Sequence, residues 1–184
     1  MAIIKQQLGI GNSILFGKTE NEFLSQFFSI GRDFSLSSII LTFNNSSIDS
    51  VRDVDFKIEV RLASGANYLL DLLNDSLATS ESYTDTQLML PVTSFEFDFT
   101  PAVDLDAGEY WFSLINTDRS SCGANVSANS STFIDNFIHI KNGSGIYRTD
   151  LNLTYIINGT FSGGTSYNEV TLNQYTNYYL ADET

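Results

Sequence analysis

Few side chains in this chain can carry covalent or acid–base chemistry. His139 and Cys122 are each the sole residue of their type. A Cys-His dyad or a Ser-His-Asp triad would therefore have to use His139. It lies in Phe133-Ile134-Asp135-Asn136-Phe137-Ile138-His139-Ile140, on the face opposite Ile138 and Ile140, which turns it to solvent. Cys122 sits in the polar run Ser120-Ser121-Cys122-Gly123 and reads as a spectator thiol. Glu96, Asp98 and Glu109 could be paired as carboxylates for glycoside hydrolysis. Alternation makes Glu96 and Asp98 the outward side of an amphipathic strand, and solvation explains them. Asp104-x-Asp106 and Asp49-x-x-x-Asp53-x-Asp55 offer oxygens of the kind Ca²⁺ takes. Neither follows an Asp-x-Asp-x-Asp-Gly loop, so they read as turn acids. Ile10-Gly11-Asn12 and Gly163-Gly164 lack the lysine and following helix of a phosphate loop and read as turns. No catalytic residue, metal or cofactor is expected.

Trp111 is the residue best suited to binding. In Tyr110-Trp111-Phe112-Ser113-Leu114-Ile115, alternation sends Tyr110, Phe112 and Leu114 to one face and Trp111, Ser113 and Ile115 to the other. With the first set in the core, two readings remain for Trp111. It is an exposed platform for a sugar ring or a partner side chain, with the tail residues Tyr175, Tyr178 and Tyr179 beside it as contact residues. Otherwise it lies beneath loops or a terminal arm.

The balance of charge narrows the partners. The chain has 184 residues, with 9 Lys+Arg against 22 Asp+Glu and a formal net charge of -13. Phosphate-rich partners need a basic surface, so neither nucleic acid nor an anionic membrane is an expected partner. A hydrophobic content of 42% with 13% aromatics argues against intrinsic disorder. This length suits one domain, with or without arms, burying roughly 70% of its unfolded-chain surface. The first apolar run breaks at Lys5 and Gln6, short of a secretory signal core, so the chain is expected to be made in the cytoplasm. With one cysteine, no intrachain disulfide can form.

The elements that must position these residues are strands. In Asp55-Phe56-Lys57-Ile58-Glu59-Val60-Arg61-Leu62, apolar and charged residues alternate with period two. Phe56, Ile58, Val60 and Leu62 are expected inward. Ser94-Phe95-Glu96-Phe97-Asp98-Phe99 repeats the pattern, and Pro101 is expected to end it. Further strands read at Leu36–Phe43, Glu109–Ile115, Phe133–Lys141 and Leu151–Ile157. Only Thr19–Phe28 and Tyr68–Asn74 could be argued as helical. Eight or more short strands with polar turns predict an all-β, two-sheet antiparallel sandwich of jelly-roll type. The domain is expected over residues 20–162.

Two extensions flank it. The N-terminal arm, residues 1–19, places Ile3, Ile4, Leu8, Ile10, Leu15 and Phe16 among Gly9, Gly11 and Gly17. The C-terminal arm, residues 163–184, follows Ser162-Gly163-Gly164 and carries its tyrosines and Leu180. Both arms are either edge strands on their own domain or docking arms that order on a neighbouring subunit.

Three stretches resemble a broad group of bacterial and phage β-sandwich modules. They are Leu24-Ser25-Gln26-Phe27-Phe28-Ser29-Ile30-Gly31 with Phe34-Ser35-Leu36-Ser37-Ser38-Ile39-Ile40-Leu41, then Asp104-Leu105-Asp106-Ala107-Gly108-Glu109-Tyr110-Trp111-Phe112-Ser113-Leu114, then Asp150-Leu151-Asn152-Leu153-Thr154-Tyr155. The first is similar to a Gln-x-Phe-x-x-Gly turn and the strand after it. The second is similar to a Leu-x-Ala-Gly-x-Tyr-Trp strand, and the third stands where such modules close with Asp-Leu-Ala-Phe-x-Ile. The resemblance covers about residues 24–161 and implies a jelly-roll sandwich with an accessory, non-catalytic role on a surface or in a virion.

Together these features lead to the expectation of a phage virion protein. A capsid decoration (cement) protein or related appendage would bind neighbouring subunits through its arms, as a homo-oligomer such as a trimer and with the major capsid protein. The alternative is a carbohydrate-binding or host-adhesion module of a tail fibre or cell surface.

Overall fold

The computed structural model describes residues 2–7, 12–17, 23–44, 55–63, 75–84, 93–116, 123–130, 138–142, 145–149, 151–162, 169–172 and 176–179. Every regular element among them is a β-strand. Alternation dictates this, since the apolar residues of each long strand recur at every second position and need a partner layer.

In the first sheet, β1 (Ala2–Gln7), β14 (Tyr155–Phe161), β4 (Phe34–Asn44) and β8 (Thr93–Leu105) lie side by side in that order, all antiparallel. At the end of β4, Phe43 and Asn44 pair with β10 (Gly123–Ser130), which also carries β13 (Leu151–Leu153) and β2 (Asn12–Gly17). The second sheet runs β12 (Gly145–Thr149), β11 (Ile138–Asn142), β3 (Phe23–Ile30), β9 (Gly108–Asn116), β5 (Asp55–Leu62). Two short strands, β6 (Ala78–Thr79) and β7 (Tyr83–Thr84), pair with β5 at its far side. β15 (Glu169–Leu172) and β16 (Thr176–Tyr179) form a separate antiparallel pair.

One core fills the space between the two large sheets. Phe34, Leu36, Ile39, Leu41, Phe97 and Phe99 come from the first, and Leu24, Phe28, Phe56, Ile58, Val60, Tyr110, Phe112 and Leu114 from the second. Rings meet across the layers: Phe112 lies edge-on to Tyr155 at 5.1 Å, and Phe34 edge-on to Tyr110 at 6.1 Å. Each such side chain contributes about 1.5–3 kcal/mol through burial. Gln26, also fully buried, ties the layers together. Its Nε2 donates to Asn152 Oδ1 (3.3 Å) and its Oε1 accepts from the Leu153 amide (2.9 Å).

The turn into β9 shows sequence becoming structure over a few residues. Asp33 Oδ1 accepts from the Ala107 amide at 2.8 Å, pinning the turn to the start of β4. The Tyr110 hydroxyl donates back to the Asp106 carbonyl at 2.6 Å while its ring stacks on Phe28. Burial, together with the nearby Asp106 and Asp33 carboxylates, raises that hydroxyl's pKa and keeps it a donor.

Several expectations need correction. Leu62, expected inward, is 48% exposed at the last position of β5. Phe95 is only half-buried at the edge of the core. Pro101 does not end its strand: β8 continues to Leu105 with a cis Thr100–Pro101 bond. The register explains how. It passes from Ser38↔Asp98 to Leu36↔Val103, so Phe99 to Ala102 bulge out where a missing N–H breaks no ladder. Residues 23–28, weighed above as helical, belong to β3, while Tyr68–Asn74 lies outside the described residues. The segment read as an N-terminal arm supplies β1 and β2, both paired into the first sheet of its own chain. Edge strands on their own domain are therefore the outcome for residues 2–7 and 12–17.

Candidate functional site

The outer face of the second sheet carries Trp111, and the structure closes it. Trp111 is fully buried, its ring edge-on to Phe27 at 5.5 Å, with Ala63 and Ile115 packed alongside. Phe27 and Trp111 face each other in register on β3 and β9, and the next pair along is Ser25 and Ser113. Both hydroxyls are buried and lie 2.6 Å apart. On β5, Glu59 accepts a hydrogen bond from Arg61 and pairs with Lys57 at 2.8 Å. Burial alone would raise the Glu59 pKa, but hydrogen bonds from Lys57 and Arg61 and their positive charges outweigh it and lower it. Trp111 is thus part of a second, smaller interior, and of its two readings the exposed sugar platform does not hold.

His139 is in backbone register with Ser25 on one side and Arg148 on the other. Cys122, Asp49 and Asp53 lie outside the described residues. Asp104, in β8, and Asp106, in the turn after it, are both exposed. Among the described residues, no three His, Cys, Asp or Glu side chains gather as metal ligands do.

Sequence reasoning missed the segment that bridges the two sheets at the β5/β8 side. Leu77 and Ser80 donate their amides to the Val60 and Ile58 carbonyls at 2.8 and 2.9 Å, while Ser80 Oγ accepts from the Ile58 amide at 2.9 Å. One residue later the chain reaches the other sheet: the Glu81 amide donates to the Asp98 carbonyl at 2.8 Å. The Tyr83 hydroxyl donates to the Glu96 carbonyl at 2.5 Å, and its ring stands edge-on to Phe97 at 5.2 Å. Two carbonyls on the free side of β8 are thereby occupied, which guards that edge against pairing with another chain. The Asp98 pKa is raised, chiefly by burial and then by Glu96 and Glu81. Glu96 in turn accepts from Ser38 Oγ (2.5 Å) and Asn158 Nδ2 (3.2 Å) on the outer face of the first sheet.

The opposite side is built differently. β1 pairs with β14 through Ala2↔Gly159, Ile3↔Asn158, Lys5↔Ile157, Gln6↔Ile156 and Gln7↔Tyr155, with a register shift between Ile3 and Lys5. Ile3 is half-buried and Gln6 is buried. Ile4 lies in the same strand, while Leu15 and Phe16 of β2 pair with Asn125 and Ala124 of β10. Next to β1 lies β15, which shares no ladder with either large sheet among the described residues. In its hairpin, Tyr178 pairs with Val170 and Tyr179 with Glu169. Tyr175, Leu180, Leu8 and Ile10 lie outside the described residues. The structure therefore brings the two terminal segments together at one flank, and Trp111 is not part of that grouping.

Comparison of the chain with protein-family models, curated proteins and solved structures found no match.

Proposed function

We propose that this chain is a non-enzymatic, jelly-roll structural subunit of a virion, of the decoration or appendage kind, which works by self-association and by docking on a shell. The strand order is the observation that carries the reading. Setting aside β2 and β10 to β13, which extend the same two sheets, and taking β1, β3, β4, β5, β6/β7, β8, β9 and β14 as eight successive strands, the first sheet contains the order 1-8-3-6 and the second 2-7-4-5. That order results when one long antiparallel hairpin rolls up so that its strands alternate between two layers, the two Greek keys of a jelly roll. Viral capsid domains use this fold, and the step from fold to virion is an analogy.

The chemistry of the surface is compatible with such a role. A net charge of -13 would keep finished particles soluble and apart. The interior is filled by aromatic rings, and the one tryptophan is committed to packing. The test is to purify the chain and examine it by light scattering and negative-stain microscopy, alone and mixed with capsids from cells producing it. A closed oligomer that co-sediments with capsids is expected. A permanent monomer that leaves capsids bare would contradict the proposal.

A further inference from the structure

We propose that the β1 flank of the first sheet is a self-association surface whose occupant in the assembly is the β15–β16 hairpin of a second copy. This deepens the reading of the chain as an assembly subunit and rests on it. Three observations carry it. Among the described residues β1 shares a ladder only with β14, so the side of its backbone away from β14 carries no ladder there. The β15–β16 pair lies against β1 yet shares no ladder with the large sheets among the described residues. An isolated two-stranded hairpin is marginal in water, so this one depends on the surface it lies against.

A contact made within one chain by a terminal element can be made equally well between two. The same residues meet, and only the connection differs. In the sequence, Gly163 and Gly164 stand between Ser162 and the hairpin, and glycine tolerates more backbone conformations than any other residue. Exchange of hairpins would join copies without creating any new complementary surface. It would also bring Tyr178 and Tyr179, on β16, to the joint.

The experiment co-expresses the full chain with a tagged form ending at Ser162. The full chain should scatter as a multiple of 20.4 kDa. The shortened chain alone should be a monomer with an unchanged β-sheet circular dichroism spectrum, because it accepts a hairpin and has none to give. The tagged short form should nevertheless capture the full chain, with capture lost when a synthetic 163–184 peptide is added in excess. Self-association of the shortened chain as strong as that of the full chain would overturn the exchange while leaving a virion role intact. So would a monomeric full chain at every concentration tested. Exchange confirmed in a protein that ignores capsids would instead leave the hairpin assignment standing and remove the virion role.

Discussion

The two flanks of the sandwich solve the same problem by different means. At the β5/β8 side, residues 76–84 bridge the two sheets, with amide hydrogen bonds to the carbonyls of Ile58, Val60 and Asp98 and an edge-on ring contact from Tyr83 to Phe97. At the β1 side, β1 is the last ladder strand among the described residues, and the neighbouring hairpin adds contact without a shared ladder. The first flank is closed by hydrogen bonds at short sequence separation, which cost little loop entropy to make. The second depends on the two ends of the chain meeting. An edge held in that way is the one proposed for exchange with another copy, while the other is already bridged within the chain.

The largest expected effect is at the bridged flank. Phe97→Ala removes a fully buried ring that touches both Tyr83 and Phe43. It should cost about 3–5 kcal/mol in denaturant unfolding. A loss below about 1 kcal/mol would show that the bridging segment does not pack as described.

Ser80→Ala comes next. Its hydroxyl accepts from the buried Ile58 amide and donates to the Glu81 carbonyl, so removal strands a buried donor. The expected cost is about 1–3 kcal/mol. Equal exposure of both flanks to a protease before and after the change would break the comparison.

Smaller effects follow from two carboxylates with opposite signs. The depressed pKa of Glu59 gives stability that is present above the ordinary glutamate range and lost as pH falls through the depressed value. The raised pKa of Asp98 works the other way: its penalty is present at neutral pH and disappears as the group takes up a proton. Glu59→Gln should therefore flatten the acid side of the melting-temperature profile. Asp98→Asn should raise the melting temperature slightly at neutral pH and not at low pH. Both side chains are partly solvated, so the shifts should be small.

The smallest effect is expected at the β1 flank. Ending the chain at Ser162 should change the unfolding free energy of the body by less than about 0.5 kcal/mol, as for surface changes that touch no core.

Much of this architecture is legible in the sequence, and the failures have physical causes. Alternation placed Phe56, Ile58, Val60, Phe97, Phe99, Tyr110 and Phe112 in the core, where they are. It separates two faces of a strand but is silent on whether the second is covered, which is why the exposed and the covered readings of Trp111 both stayed open. β6 and β7 have two residues each, too few to display any period, so the bridging segment left no signal. β1, with the sequence Ala-Ile-Ile-Lys-Gln-Gln, does not alternate, and its place in the sheet is set by the free side of β14. Pro101 signalled a strand end because a single sequence does not show that the opposite strand tolerates a bulge.

Native-state hydrogen exchange on the full chain, at a concentration where light scattering shows a monomer, tests the difference between the flanks most directly. The amides of Leu77, Ser80 and Glu81 should exchange with a free energy near that of global unfolding, because their bonds open only when the sandwich does. The amides of 169–172 and 176–179 should exchange with an opening free energy several kcal/mol lower. Equal protection of the two sets in the monomer would contradict the account.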